Sequence, residues 1–80
     1  MASMMSDVVE YLAKALVENP DDVRVTESDD RGRVVIRLDV AEDDFGKVIG
    51  KGGRIATAIR SMVKVAAVKE DVRASLEIGD

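Results

Sequence analysis

Residues 48–55 read Val-Ile-Gly-Lys-Gly-Gly-Arg-Ile, with apolar segments of helical spacing on both sides. Gly50, Gly52 and Gly53 fall within four positions. Glycine costs about 1 kcal/mol relative to alanine inside a helix, so no continuous helix is expected through this stretch. The chain has to turn here, and two helices must meet at the corner. One glycine would be enough for such a corner, because a single left-handed residue reverses the chain. The extra glycines, interleaved with Lys51 and followed by Arg54, suit a backbone that something else approaches closely. Small residues expose main-chain N–H groups, and the next helix's N-terminus adds more donors for an anion. Lys51 and Arg54 put positive charge at the same place.

The flanking segments limit what the corner can belong to. Val8, Val9, Leu12, Ala15 and Leu16 share one helical face, which predicts a helix over Asp7–Glu18. Asp7 and Glu10 resemble a capping box, and Asn19-Pro20 ends the helix. Residues 1–6 read as a loose tail, leaving one domain over 7–80. Val23–Glu27 and Arg33–Val40 alternate apolar and polar residues as two strands, with turn residues at 28–32. Ala41–Ile49 reads as a short helix with Glu42, Asp43 and Asp44 in its first turn, the favourable sign there. Arg54–Lys69 reads as a longer helix, and Val72, Ala74, Leu76 and Ile78 alternate as a last strand. The crossover before that strand is long enough to lay it parallel to the Arg33–Val40 strand. The expected fold class is α+β, in the order α-β-β-α-α-β: a three-stranded mixed sheet with helices on one face.

Charge distribution says more than net charge. The 80-residue chain carries a formal −4, yet Phe45–Lys69 holds Lys47, Lys51, Arg54, Arg60, Lys64 and Lys69 and no acidic residue. A patch this polarised on an acidic body favours a polyanionic target. Arg60 and Lys64 lie on the polar side of their helix and read as solvated. With no histidine and no cysteine, the usual general base, thiol chemistry and Cys/His zinc sites are excluded, and the acids sit at helix starts, turns and outer faces. No enzyme, cofactor, metal or small-molecule substrate is expected. Neither a signal peptide nor a membrane span is read, and the lack of cysteine fits a cytoplasmic setting. Gly46–Lys51 fails the phosphate-loop pattern: three residues separate the glycines, Gly52 follows the lysine, and the loop joins two helices. Tyr11 and Phe45 are the only aromatic residues, so no base-stacking platform is available.

Ile49-Gly50-Lys51-Gly52-Gly53-Arg54-Ile55 resembles the IGxxGxxI signature of KH domains, with Ala56 at the motif's final position and Ile55 one residue early. The element order resembles the type II, bacterial-style KH fold. Asn19-Pro20-Asp21, Gly46–Lys51, Arg54-Ile55-Ala56 and Ala58-Ile59-Arg60 are most similar to the KhpA family of small single-KH RNA-binding proteins. The resemblance implies that about four single-stranded nucleotides are held, with Gly50–Gly53 clamping the backbone. Lys51 and Arg54 would be the main electrostatic contacts, with Lys47 added and bases near Ile49 and Ile55. It also implies RNA-chaperone activity, a KhpB (Jag-type) partner and links to cell shape and cell-wall biogenesis. Gly52 replaces the polar or basic residue often found at its place, which frees the clamp.

The helix after the corner carries apolar residues over roughly twice the arc a surface helix buries. Ala58, Met62 and Val65 represent the surplus, which either packs on a second chain as a dimer interface or meets the first helix more closely. A rival to RNA binding follows from the same surface. In it the chain is a protein-interaction subunit, its glycine loop lies at an interface, and its contact with RNA is incidental.

Overall fold

The computed structural model describes residues 3–79, whose helices and strands follow the expected order. Helix α1 spans Met4–Leu16, strands β1 and β2 span Arg24–Asp30 and Arg33–Asp39, and helix α2 spans Phe45–Ile49. Helix α3 spans Arg54–Lys69, and strand β3 spans Arg73–Ile78. Single 3₁₀ turns at Pro20–Asp22, Glu42–Asp44 and Lys51–Gly53 precede β1, α2 and α3. The sheet order is β1-β2-β3, with β1 antiparallel and β3 parallel to the central β2.

Period-two alternation aims Val34, Ile36 and Leu38 of β2 and Ala74, Leu76 and Ile78 of β3 at the helices. Arg33, Arg37, Arg73 and Glu77 alternate with them and stay exposed. On the helical side Met5, Val9 and Ala13 of α1, Val48 of α2, and Ile59, Val63, Ala66 and Ala67 of α3 close one core. Met5, Val9, Ile36, Leu38, Val48 and Val63 are essentially inaccessible to solvent.

Three boundaries depart from the sequence reading. The first is at Ala41–Ile49, where a 3₁₀ turn over Glu42–Asp44 comes first and α2 starts only at Phe45. Helix α1 begins at Met4, three residues early: the Ser3 side chain caps it, accepting from the Ser6 amide at 3.2 Å. Ser3–Ser6 therefore belong to the domain and not to a tail, while Met1 and Ala2 lie outside the described residues. The earlier start turns the buried face toward Met5, Val9 and Ala13 and leaves Ala15 and Leu16 exposed. Strand β1 also runs on to Asp30, so the turn shrinks from residues 28–32 to Arg31-Gly32. Both turn residues have positive φ (56° and 83°), as a two-residue type I′ hairpin requires. The Asp29 side chain accepts from the Gly32 amide at 2.9 Å and holds the turn.

Helix α3 ends in a Schellman cap: the Val72 amide donates to the Ala67 carbonyl and the Asp71 amide to the Val68 carbonyl, with Asp71 at φ 57°. This short reversal makes α3 and β3 antiparallel. The N-terminus of α3 then lies beside the final residues of β2 and β3, and the first residues of β3 lie at the opposite end.

Candidate nucleic-acid interface

Helix α2 is only five residues long and is held by two anchors. Val48 is fully buried, and Asp44, just before the helix, is 1% exposed although it is charged. The Asp44 carboxylate accepts from the Glu18 amide at 3.1 Å, the Asn19 amide at 3.0 Å and the Asn19 side-chain amide at 3.0 Å. Burial alone would push this carboxyl up. The three N–H donors and the Lys47 ammonium reverse that and hold it below its usual range. The sequence marks Asp44 only by its favourable sign at a helix start. Its partners lie in the loop after α1, 25 and 26 positions away, and no local pattern signals that contact.

Gly50 follows α2 at φ 77° and ψ 172°, and its amide donates to the Gly46 carbonyl at 2.9 Å. A Cβ here would stand 2.6 Å from Cγ1 of Ile55, so glycine lets the loop close on the first turn of α3. Gly52 and Gly53 are both left-handed, at φ 66° and 77°, with open space around them. The result is a small turn raised above the Ile55 side chain. The Gly53 amide donates to the Gly50 carbonyl at 3.1 Å, and the Arg54 amide turns back on the Lys51 carbonyl.

The start of α3 has neither a side-chain cap nor an acidic residue in its first turn. Its positive end, normally met by a carboxylate or a serine, is left to something outside the helix. Lys51 and Arg54 are exposed at that end, and no described carboxylate lies within 4.0 Å of either. Lys47 differs: its ammonium lies 3.7 Å from Glu18 and 3.8 Å from Asp44, so much of its charge is answered within the molecule. Ile49 and Ile55 are half-buried, and Ile55 packs on the core and fills the space beneath Gly50. The structure thus brings Gly50, Lys51, Gly52, Gly53, Arg54, Ile49 and Ile55 into one corner and sets Lys47 at its edge.

Ala58, Met62 and Val65 lie elsewhere, on an exposed face of α3. Met62 and Val65 are 47% and 58% exposed, and with Met4 and Val8 of α1 they line an apolar groove of about 420 Å³. Met4 joins this surface although it falls in the segment that reads as a tail. The spacing Met4, Met5, Val8, Val9, Leu12 carries the helical period back to it, and is the signal that could have found it.

The element order, the mixed sheet and the glycine corner between two helices together define a KH-type α+β domain. The family model for the KhpA/KhpB KH domain matches residues 6–78. The RNA-binding protein KhpA of Caldanaerobacter subterraneus is 54% identical over 74 residues, covering 92% of this chain and 99% of that protein. The KhpA of Treponema pallidum is 44% identical over 80 residues and covers both chains completely. The chain belongs to the KhpA/KhpB KH-domain family. Among solved structures, Aquifex aeolicus Era bound to GDP.AlF4- superposes with a TM-score of 0.62 at 18% identity, over 94% of this chain and 29% of that one. Era in complex with MgGDPNP and nucleotides 1506-1542 of 16S ribosomal RNA gives 0.61 at 19%, over 92% and 28%. At such identity these two likenesses concern the fold alone.

Proposed function

We propose that the chain is a non-catalytic module that binds single-stranded RNA by gripping the sugar-phosphate backbone at Gly50–Gly53. The observation that carries this is the uncapped, acid-free start of α3, lying under a three-glycine turn, with no described carboxylate paired to Lys51 or Arg54. Backbone N–H groups and two exposed cations at one point suit a phosphate diester, which tolerates any base. The relatives named RNA-binding protein KhpA support the same reading. Specificity is low, because one such clamp covers about four nucleotides. Cytoplasmic RNA-chaperone work, with links to cell shape and cell-wall biogenesis, fits the family. Among the described residues no helix is long and apolar enough to cross a membrane.

The test is fluorescence anisotropy on labelled single-stranded RNA, comparing the intact protein with Lys51→Asp/Gly52→Asp, whose folding is checked by circular dichroism. Two or three phosphate contacts on a single strand predict that affinity falls about 7- to 20-fold between roughly 50 and 200 mM salt. The double variant should lose binding at both salts. Equal binding by both proteins would end the clamp reading and favour the interaction-subunit alternative.

The apolar groove along α1 and α3 favours a dimer, formed with a second copy or with a KhpB-type partner. Met62 and Val65 are its exposed centre, and a domain this small gains core by association. Light scattering after chromatography should show the mass of a dimer for the intact protein and of a monomer for Met62→Asp/Val65→Asp. A monomer in both cases would leave the groove without this role.

A further inference from the structure

At the end of α3 away from the glycine loop, Arg33, Lys64 and Arg73 converge on a recess of about 320 Å³. Ala67 of α3 and Ala74 of β3 form part of its apolar floor. Arg33 and Arg73 are direct partners in the parallel β2–β3 ladder, an arrangement of like charges that destabilises a sheet. The same two strands avoid it further along, where Arg37 faces Glu77 and the two side chains pair at 4.0 Å. No described carboxylate lies within 4.0 Å of Arg33, Lys64 or Arg73. Asp30 stands opposite Arg33 across the hairpin and still closes no ion pair with it. Attraction to the negative C-terminal end of α3 accounts for Lys69, which lies in the last turn, but not for two arginines on strands.

Three unanswered cations around a concave, apolar-floored recess call for an external anion. Two of them are arginines, whose forked guanidinium groups suit phosphate oxygens. We infer that this recess is a second phosphate-binding site for RNA, so that the domain contacts RNA at both ends of α3. The inference rests on the RNA-binding reading of the glycine loop. The helix rises about 15 Å between Arg54 and Lys64, so a strand of about four nucleotides centred on the glycine loop reaches only partway along α3 and leaves the recess free. A longer strand, or a second one, reaches the recess. A module with two such grips can hold two RNA segments at once.

The test uses the intact protein and Arg33→Gln/Lys64→Gln/Arg73→Gln, with labelled RNAs of about five and about twenty-five nucleotides. The triple variant should bind the short RNA within about twofold of the intact protein and the long RNA about tenfold more weakly. The slope of log affinity against log salt on the long RNA should shrink by about 2, from three lost contacts at about 0.7 each. Removing two opposed arginines should leave the melting temperature unchanged or higher, which separates lost binding from lost folding. Unchanged long-RNA affinity and slope would make the recess ordinary solvated surface and overturn the proposal. So would equal weakening on both RNAs, since that describes a diffuse field. Failure of the intact protein to bind the short RNA would count against the glycine loop alone, because the recess is judged on the long RNA.

Discussion

At Gly50 the backbone occupies φ 77° and ψ 172°, a region essentially closed to residues with a Cβ, and Ile55 fills the space that a methyl group would need. Gly52 has a left-handed φ of 66°, and nothing lies within 4 Å of the point where a methyl group would stand. The two glycines should therefore fail differently. Gly52→Ala carries only the left-handed penalty, about 1 kcal/mol, or roughly 4–8 °C in melting temperature for a domain of this size. Gly50→Ala adds displacement of Ile55 to a penalty of about 1–3 kcal/mol and should lower the melting temperature by about 10 °C or more. Thermal denaturation followed by circular dichroism compares them directly, and equal losses would mean that Ile55 is not the constraint. The sequence reveals that a glycine corner exists, with Lys51 inside it and Arg54 directly after it. Which glycine is sterically obligatory depends on the rotation of α3 that brings Ile55 beneath the loop, and that rotation is set by the core. The same limit applies to Lys47, whose helix position is readable and whose engagement by Glu18 and Asp44 is a tertiary contact.

Elements are legible where periodicity is long and misread where a boundary depends on a side chain. Helix α3 and strands β2 and β3 follow apolar spacing that local sequence carries in full. Asp7 and Glu10, a plausible capping pair, mislead about the start of α1, because Ser3 caps one turn earlier and Met5 is needed in the core. The hairpin turn reads too wide because Ser28, Asp29 and Asp30 are turn formers that here complete a strand. At the end of α3, Asp71 occupies the left-handed position of the Schellman cap, where glycine is the usual residue. Asp71→Gly removes that strain and adds backbone freedom to the unfolded chain, for a net gain of about 0.5 kcal/mol and a rise of a few degrees in melting temperature. A lower melting temperature would mean that the Asp71 side chain contributes more than its backbone costs.

For the molecule as a whole, helix α1 is fastened at both ends by ionised carboxylates on other elements. At its start, the Ser3 and Ser6 hydroxyls both donate to Oε1 of Glu27 on β1, and these bonds, led by Ser3, hold the Glu27 carboxyl below its usual range. Beyond its end, Asp44 accepts from Glu18 and Asn19, and donors and Lys47 outweigh burial to lower its carboxyl too. Both groups bind protons more weakly folded than unfolded, so each contributes stability that is complete above its unfolded pKa. With ordinary values of 4.5 for Glu27 and 3.8 for Asp44, that contribution fades as pH falls below about 4.5 and through the depressed folded values. The melting temperature should be nearly flat from neutral pH to about 5 and then fall steeply. Glu27→Gln/Asp44→Asn should melt several degrees lower at neutral pH and follow a shallower acid limb, so that the two curves converge as pH falls through the depressed folded values. The remaining carboxylates act on both proteins alike, so the difference between the curves isolates these two. Parallel curves throughout the acid limb would show that α1 is held by its apolar face alone. Convergence would make the two carboxylates the acid-sensitive fastenings of the helix that, with α3, lines the apolar groove.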